Sequence, residues 1–304
     1  MTARRLVVAA AQLGPVQPED GRERTVGRLI ALLREAHRRG ATFVVFPELA
    51  LTTFFPRRFI EDERELDAFY ESSVPGPDTR ELFEAAAALG VAFYLGFAER
   101  VEEAGHVRRF NTSILVDERG AVVGRYRKVH LPGHADHEPW RPFQHLEKRY
   151  FDHGNLGFPV FDALGGTVGM CLCNDRRWPE TFRVLGLRGA ELVALGYNTP
   201  RHYPLAPEHD RLQDFHNHLC MQAGAYANGC WVVASAKAGI EDGCELIGGS
   251  CVIAPTGEIV AQAQGLGDEV VLADVDLERC REIRDNIFDF ATHRRPGDYG
   301  PLSD

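Results

Sequence analysis

The sequence predicts an α/β fold, a duplicated four-layer α-β-β-α sandwich that forms a single domain. Short apolar runs alternate along the chain with segments of helical periodicity, and the order strand, helix, strand, helix, strand, hairpin occurs twice. The junctions also match, since RRGATFVVFP (38–47) resembles LRGAELVALG (187–196). Packing two such sheets on each other, with helices outside, covers both faces of each sheet. Chance similarity between ordinary α/β segments remains the alternative.

In the first half, the spacing of apolar residues defines the elements. Residues 22–39 place Val26, Leu29 and Leu33 on one helical face, and Gly40 ends the helix. The turn of the hairpin is expected at 118–120. The predicted elements are a strand at 6–12, a helix at 22–39, a strand at 41–47, a helix at 79–89, a strand at 91–99 and a hairpin at 110–128.

The second half repeats this order. Pro179 opens its first helix, and Gly229 ends its second helix as Gly90 ends the counterpart in the first half. The predicted elements are a strand at 167–173, a helix at 179–188, a strand within 187–196, a helix at 210–228, a strand at 230–236, a hairpin at 248–263 and a last strand at 269–277.

Two segments lie outside the repeat. Residues 129–160 form a long connection, and their aromatic residues predict that it is ordered. Residues 278–304 are expected to start as a short helix and continue as an extended arm that serves as an interface. The predicted division is therefore a domain at 1–277 and a C-terminal segment at 278–304.

Composition excludes several classes of protein. The chain has 304 residues with 34 basic and 44 acidic side chains, a formal charge of −10, which argues against nucleic-acid and membrane partners. No apolar run approaches the roughly 20 residues that a membrane span needs. The arginines near the N-terminus and the apolar run after them mimic a weak signal peptide but fit a first strand better. The seven scattered cysteines predict reduced thiols and a cytoplasmic location.

Lysine is rare in this chain. Only Lys128, Lys148 and Lys237 occur among the 34 basic residues, and codon bias accounts for most of the arginines. A lysine retained against this background indicates a position where a compact ammonium is needed.

Polar residues that could take part in catalysis follow several predicted strands. Glu48, Lys128 and Cys173 each come directly after an apolar run, and Asn198 and Thr199 follow another. Because active groups of α/β sheets gather beyond the carboxyl ends of the strands, these side chains are expected to lie together.

Cys173 is the candidate nucleophile. It lies at a strand-to-helix junction and is followed by Arg176 and Arg177, so we expect the pKa of its thiol to be lowered. Glu48 lies between apolar runs, which predicts a raised pKa suited to a general base. The alternatives are a buried structural cysteine, a helix-capping or solvated glutamate, and a solvated lysine at the end of the hairpin.

The histidines do not form a recognisable metal motif. They group at 130–153 and 202–218, but the chain has no HExxH or CxxC, and Cys171 and Cys173 are too close for a usual zinc pair. The sequence predicts no metal site and no cofactor.

Three segments together resemble the nitrilase superfamily of carbon–nitrogen hydrolases. They are FPELALTTFFP around Glu48, RYRKVHLPG around Lys128 and CLCNDRRWPE around Cys173, and NTSILVD, RPFQHLEKRYF, GYNTP and APTGEIV extend the match over nearly the whole chain. Within the superfamily, the double arginine and LPGHADHEPWRPFQHLEKRYF resemble the N-carbamoyl-D-amino acid amidohydrolases. The segments 134–139 and 201–209 depart from that pattern.

The resemblance implies a fold and a set of roles. Cys173 would attack the ureido carbonyl, Glu48 would carry the proton, and Lys128 with the Asn174 N–H would stabilise the oxyanion. Glu147 would orient the site. The implied substrate-binding residues are Arg176 and Arg177 for the carboxylate, with Asn198, Thr199, His130 and His145 as lining groups.

The implied reaction is hydrolysis of a small molecule, an N-carbamoyl-D-amino acid, to the D-amino acid, CO2 and ammonia. The resemblance also implies a homodimer or homotetramer. A β-ureidopropionase or another amidase of the superfamily is the nearest alternative. A histidine-ligated metallohydrolase and a non-catalytic scaffold are alternatives of other classes.

Overall fold

The computed structural model describes residues 4–302. Its strands are β1 (Arg5–Gln12), β2 (Phe43–Val45), β3 (Ala92–Glu103), β4 (His106–Val116), β5 (Val122–Arg127), β6 (Val160–Ala163), β7 (Gly166–Leu172), β8 (Leu192–Tyr197), β9 (Trp231–Ala236), β10 (Ala238–Glu241), β11 (Cys244–Ile247), β12 (Cys251–Ile253), β13 (Ile259–Gln262) and β14 (Glu269–Asp276). Its α-helices are α1 (Arg22–Arg38), α2 (Glu63–Asp67), α3 (Arg80–Leu89), α4 (Glu147–Tyr150), α5 (Pro179–Leu187), α6 (Gln213–Asn228), α7 (Arg279–Ile283) and α8 (Phe290–His293).

Two six-stranded sheets have the same internal plan. Their orders are β14-β1-β2-β3-β4-β5 and β13-β12-β9-β8-β7-β6. In each sheet three parallel strands are followed by an antiparallel hairpin, β4–β5 in one and β12–β13 in the other. The duplicated α/β sandwich predicted from the sequence is confirmed.

The last strand completes the first sheet. β14 lies antiparallel to β1, from Arg5 opposite Asp276 to Gln12 opposite Glu269. β6, which the sequence analysis does not predict, takes the equivalent edge beside β7 in the second sheet. Since β14 comes from the far end of the chain, it ties the two halves together.

Alternation along β1 shows how the layers are built. Val8 and Ala10 belong to the core between the two sheets. Ala9 and Ala11 face the other way, toward Leu29 of α1 and the apolar face of α3. Because successive side chains of a strand point to opposite faces, a fully apolar run serves both layers.

Helices α1 and α3 cover the first sheet, and α5 and α6 cover the second. Both α3 and α6 end in a left-handed glycine, Gly90 with φ 65° and Gly229 with φ 54°. These are the stops that the sequence predicts, and glycine adopts this conformation without steric cost.

Some element bounds differ from the predictions. β3 extends to Glu103 and forms a long hairpin with β4, and the hairpin β10–β11 is not predicted. The helix expected from 210 begins at Gln213, after a 3-10 turn at Pro207–Leu212. Polar residues on exposed strand ends weaken the period-two signal, so the sequence underestimates these strands.

The long connection at 129–160 is ordered, as predicted. It contains α4 and leads directly into β6, and its Tyr150 and Phe151 pack with Phe55 and Tyr70 in an aromatic cluster. The Tyr150 hydroxyl bridges Arg58 O and Ile60 N, at 2.8 Å each. The connection is therefore fixed to the segment that follows Glu48.

The C-terminal segment is not an extended arm within the described residues. It forms α7, a π-helical turn at Arg284–Phe288, α8 and two 3-10 turns, at Pro296–Asp298 and Gly300–Leu302. Phe288 packs against Tyr226 of α6 with ring centroids 5.1 Å apart, and the Arg183 guanidinium lies 4.4 Å from the Phe290 ring. These contacts hold the segment on the α5–α6 layer. Residues 303 and 304 of the predicted arm lie outside the described residues.

Among residues 4–302, no helix combines the length and apolar character that a membrane crossing requires.

Candidate active site

Both sheets contribute side chains to one site. Glu48 and Lys128 follow β2 and β5 of the first sheet, while Cys173 and Asn198 follow β7 and β8 of the second. β5 runs parallel to β3 because two antiparallel pairings separate them, so Lys128 emerges at the same edge as Glu48. The expectation from strand ends is correct at these positions.

Two carboxylates share one buried ammonium. Lys128 Nζ lies 2.7 Å from Glu48 Oε1 and 2.6 Å from Glu147 Oε2, and all three side chains are fully buried. Two asparagines support Glu48. Asn111 Nδ2 donates to Glu48 Oε1 at 2.8 Å, and Asn198 N donates to Glu48 Oε2 at 3.1 Å.

The surroundings shift the pKa values of the two carboxylates in opposite directions. Burial raises the pKa of Glu48, and the negative charge of Glu147 adds to that rise. Burial also opposes ionisation of Glu147, but the charge of Lys128 and a hydrogen bond from His145 Nε2 (3.1 Å) leave its pKa lowered. The pKa of Lys128 is raised because the two carboxylates outweigh its burial. Glu147 is therefore the standing counter-ion of Lys128, and Glu48 is the group that can take up a proton.

The turn that carries Cys173 is a tight 3-10 helix at Cys173–Arg177, and Cys173 adopts a left-handed backbone with φ 42°. Such a conformation is strained for a residue other than glycine and is held by its surroundings. The thiol donates to Asn198 O at 3.4 Å. Asn198 thus contacts both the glutamate, through its N–H, and the thiol, through its carbonyl.

The expected lowering of the thiol pKa is wrong. Burial and the charge of Glu48 raise the pKa of Cys173 to about 11, although Lys128 and Arg176 oppose that shift. Desolvation of a fully buried thiolate outweighs the nearby cations. Cys173 is therefore a neutral thiol at pH 7.

Asp175 fixes the same turn from behind. Its Oδ2 accepts from Tyr126 OH at 2.7 Å and Leu172 N at 3.0 Å, and its Oδ1 accepts from His130 N at 2.9 Å. The buried carboxylate thus ties the Cys173 turn to the end of β5.

Two glycines leave room for the backbone of Glu48. A Cβ at Gly96 would lie 2.7 Å from Glu48 Cα, and one at Gly196 would lie 2.5 Å from Glu48 N. Gly96 is in the first sheet and Gly196 in the second. The Pro47–Glu48 backbone is therefore clamped between the sheets, which only glycine at both positions permits.

A cavity of about 390 Å³ opens onto Cys173. Polar groups near the thiol include Asn174, Arg176, Arg177, Asn198 and Thr199, and His134, His145, His202, His209 and His216 line the walls. None of the described residues that line this cavity is acidic. Glu48, Lys128 and Glu147 lie behind Cys173, outside the lining.

The two arginines after Cys173 differ in their surroundings. Arg176 is 1 % exposed and donates to Cys173 O at 2.6 Å, Thr199 Oγ1 at 2.8 Å and Asn217 Oδ1 at 2.8 Å. Arg177 is exposed toward the cavity and makes no ion pair within residues 4–302. Arg176 thus fixes the turn and the cavity wall, while Arg177 presents an uncompensated charge.

His130 does not line the cavity, contrary to the expectation. Its Nδ1 lies 2.8 Å from Asp175 Oδ1, and its ring stacks on Trp178 with centroids 4.9 Å apart. These contacts turn it toward the Asp175 side of the turn. His145 is placed as expected, in the lining and in contact with Glu147.

Comparison with known proteins agrees with this architecture. The family model for carbon-nitrogen hydrolase matches residues 7–285. A nitrilase of Pyrococcus abyssi is 30 % identical over 279 residues, 92 % of this chain and 93 % of that protein. An N-carbamoylputrescine amidase of Arabidopsis thaliana is 31 % identical over 287 residues, 89 % of this chain and 87 % of that protein. The crystal structure of a carbon-nitrogen hydrolase from Helicobacter pylori G27 shares the fold, with a TM-score of 0.84 at 24 % identity over 98 % of each chain.

The chain belongs to the carbon–nitrogen hydrolase family.

It is thus an enzyme that hydrolyses carbon–nitrogen bonds of amides, and the nitrilase-superfamily resemblance is confirmed. The two named relatives are a nitrilase and an N-carbamoylputrescine amidase, so they do not support the narrower resemblance to N-carbamoyl-D-amino acid amidohydrolases.

This hydrolase contains site residues that the sequence analysis did not single out. Asn111 donates a hydrogen bond to Glu48, and Asp175 fixes the turn that carries Cys173. Each is a polar residue within or just after an apolar strand. This pattern indicates a buried polar group that needs a hydrogen-bond partner, but the sequence does not identify the partner.

Within the described part of this hydrolase, no three or more His, Cys, Asp or Glu side chains are arranged to hold a metal ion.

Proposed function

We propose that this hydrolase converts N-carbamoyl-D-amino acids to the D-amino acid, CO2 and ammonia, with Cys173 as nucleophile. The observation that carries the proposal is the charge of the cavity, where Arg177 is unpaired within the described residues and no acidic side chain lines the wall. An N-carbamoyl amino acid brings a carboxylate that this charge attracts. A substrate such as carbamoylputrescine brings an ammonium that the same charge repels.

The proposed roles follow from the contacts. Glu48, with its raised pKa, accepts the thiol proton, and Cys173 attacks the ureido carbon. Lys128 Nζ and the Asn174 N–H stabilise the oxyanion. The Asn174 N–H is available because the first turn of a helix leaves its donors without intrahelical partners. Glu147 keeps the ammonium in place.

The collapse of the tetrahedral intermediate breaks one carbon–nitrogen bond, and the departing nitrogen takes the proton held by Glu48. Water then attacks the thioester carbon and gives a proton to Glu48. Glu48 passes that proton to the departing sulfur, which restores the Cys173 thiol. In total one water is consumed, and the ureido group ends as CO2, ammonia and the amine of the product.

Binding of the substrate carboxylate is assigned to Arg177 together with Arg176, Asn198 and Thr199, which lie beside the thiol in the lining. Guanidinium groups suit carboxylates because their planar donors match both oxygens. Since Arg176 already bonds three protein partners, Arg177 is the main donor for the carboxylate in this proposal.

The preference for the D isomer is supported by the sequence resemblance. N-carbamoyl-β-alanine is also an anion, so cavity charge does not distinguish a β-ureidopropionase from the proposed enzyme. A cytoplasmic location forms part of the proposal, because all seven cysteines are free thiols.

A substrate panel tests the proposal. Ammonia release is measured from D- and L-N-carbamoyl amino acids, N-carbamoyl-β-alanine and carbamoylputrescine. We expect the highest kcat/KM for a D isomer, little turnover of carbamoylputrescine and none with Cys173→Ala. A preference for carbamoylputrescine would contradict the anion assignment, and a preference for the L isomer or for N-carbamoyl-β-alanine would overturn the assigned substrate.

Within the same panel, Arg177→Gln isolates the carboxylate contact. A lost charge-assisted hydrogen bond of about 1.5 kcal/mol raises KM about tenfold. Arg34→Gln, at an exposed position of α1, is the matched control and should leave KM unchanged. Equal effects of the two changes would rule out a specific role for Arg177.

A further inference from the structure

A second buried lysine lies in a carboxylate cluster of its own. Lys237, between β9 and β10, is fully buried, and its Nζ lies 2.9 Å from Glu241 Oε2. Arg57 Nη1 reaches Glu241 Oε1 at 3.2 Å, and both of those side chains are also buried. We call these three residues the Lys237 cluster. The proposed chemistry uses none of them.

The Lys237 cluster holds the segment that follows Glu48. Lys237 Nζ donates to the carbonyl of Thr52, and Glu241 Oε1 accepts from Phe54 N at 2.8 Å. Arg57 supplies the third tie from the same segment. Residues 52–57 are thus fixed by side chains at the end of β9 and in β10, in the second half of the chain.

Residues 52–57 link the backbone near Glu48 to the backbone near Glu147. This segment begins four residues after Glu48, and Leu49 adopts a left-handed backbone with φ 44°. At its other end, Pro56 O accepts from Leu146 N at 2.8 Å, directly before Glu147. The Phe54 ring meets the His145 ring edge-on at 5.8 Å.

The electrostatics agree with this geometry. Burial lowers the pKa of Lys237, while the charges of Glu241 and Glu48 oppose that shift. Glu48 thus contributes to the electrostatic environment of Lys237. Taking three charged side chains out of water is unfavourable unless they are paired, and all three are ion-paired within the cluster.

We propose that the Lys237 cluster positions the proton acceptor, by fixing residues 52–57 and through them the placement of both Glu48 and Glu147. The proposal rests on the proposed role of Glu48. Lys237, Glu241 and Arg57 are positioning residues, since they act through the backbone of this segment and not on the substrate.

The experiment removes one charge from the cluster. Lys237→Met keeps the length of the side chain and leaves the Arg57–Glu241 pair intact, so it is the variant expected to fold. Glu241→Gln is the second variant. Small displacements of catalytic groups can cost up to about 100-fold in rate, and we expect kcat to fall at least about tenfold while KM changes by less than about threefold.

A readout independent of substrate separates this proposal from the proposed function. The rate of Cys173 alkylation by iodoacetamide at pH 7, followed by peptide mass spectrometry, depends on a base that takes the thiol proton. Glu48→Gln is the reference for a lost base. If that change leaves alkylation unaltered, the role of Glu48 fails. If Glu48→Gln slows alkylation, we expect the alkylation rate of folded Lys237→Met to fall nearly as far as that of Glu48→Gln.

Asp242→Asn is the matched control. Asp242 pairs with Arg58 at 2.7 Å, one residue along from Glu241 and Arg57, but both side chains are partly exposed. Its loss breaks an ion pair between the same two segments without disturbing the buried cluster, so kcat and alkylation should stay within about twofold of the unmodified protein.

Three outcomes would overturn the proposal. The first is a folded Lys237→Met protein with near-normal kcat and alkylation. The second is an equal loss in Asp242→Asn, which would make the effect a general one of loosened loops. The third is failure of both Lys237→Met and Glu241→Gln to fold cooperatively, which would make the cluster a support of the fold as a whole.

Discussion

At the scale of single residues, identical side chains acquire different chemistry from their neighbours. Glu48 and Glu147 bond the same ammonium, yet the pKa of Glu48 is raised and that of Glu147 is lowered. Two causes separate these pKa values: the negative charge of Glu147 raises the pKa of Glu48, and the hydrogen bond from His145 adds to the charge of Lys128 in lowering the pKa of Glu147. Separated pKa values within a pair of titratable groups indicate which of them can act as acid or base.

The pH dependence of kcat/KM should report Glu48. In the proposed mechanism the glutamate must be ionised to accept the thiol proton, so activity should fall as the pH drops through its pKa. Because that pKa is raised, the acid limb should lie above the roughly 4.3 of an ordinary glutamate. With the thiol pKa at about 11, activity should not rise with a thiolate ionisation near pH 8.5. The check is a kcat/KM profile from pH 4 to 9, and an acid limb at the ordinary value would contradict the assignment.

At the scale of elements, the site depends on strand ends and on close approach between strands. β2 and β8 occupy equivalent places in the two sheets, and their following residues, Glu48 and Asn198, contact each other. Gly96 in β3 and Gly196 in β8 allow this contact by leaving space for the Pro47–Glu48 backbone. The glycines therefore belong to the site although they carry no reactive group.

Gly196→Ala should lower kcat at least about tenfold, because a Cβ 2.5 Å from Glu48 N must displace the glutamate. Gly27→Ala is the control, since it lies on an exposed part of α1 with nothing within 4 Å of the added carbon. That change should leave kcat unaltered and raise the free energy of unfolding by about 0.5–1 kcal/mol. Steady-state kinetics and denaturant unfolding measure both, and normal kcat in Gly196→Ala would show that the clamp tolerates a shift.

At the scale of the whole molecule, the site belongs to neither half alone. The first half supplies Glu48, Lys128 and Asn111, and the second supplies Cys173 and Asn198. β14 returns from the second half to complete the first sheet, so the halves cannot separate without opening a sheet edge. The candidate site therefore lies at the interface between the two halves of the chain.

We predict that the chain forms a homodimer or homotetramer. Phe215, Leu219 and Tyr226 of α6 remain 59 %, 48 % and 42 % exposed, and Leu302 in the C-terminal segment is 71 % exposed. Covering such side chains in an assembly is favourable by about 25 cal/mol per Å². Light scattering at micromolar concentration should give two or four times 33.9 kDa. The mass of a single chain at that concentration would contradict the prediction.

The sequence by itself determined the duplicated sandwich and the positions of Glu48, Lys128, Cys173 and Asn198. The reason is local: apolar runs of strand length end abruptly, and the residue after each run lies at the edge of a sheet. The helix stops at Gly90 and Gly229 are equally local. Three motifs in order then identify the superfamily.

Only the tertiary structure decided which groups share a hydrogen bond and how far each is buried. It placed β14 beside β1, turned His130 toward Asp175, and reversed the expected direction of the Cys173 pKa shift. It also separated Lys128 and Lys237 into two buried clusters. Strand pairing, desolvation and charge coupling depend on residues far apart in the chain, and neither periodicity nor composition records those distances.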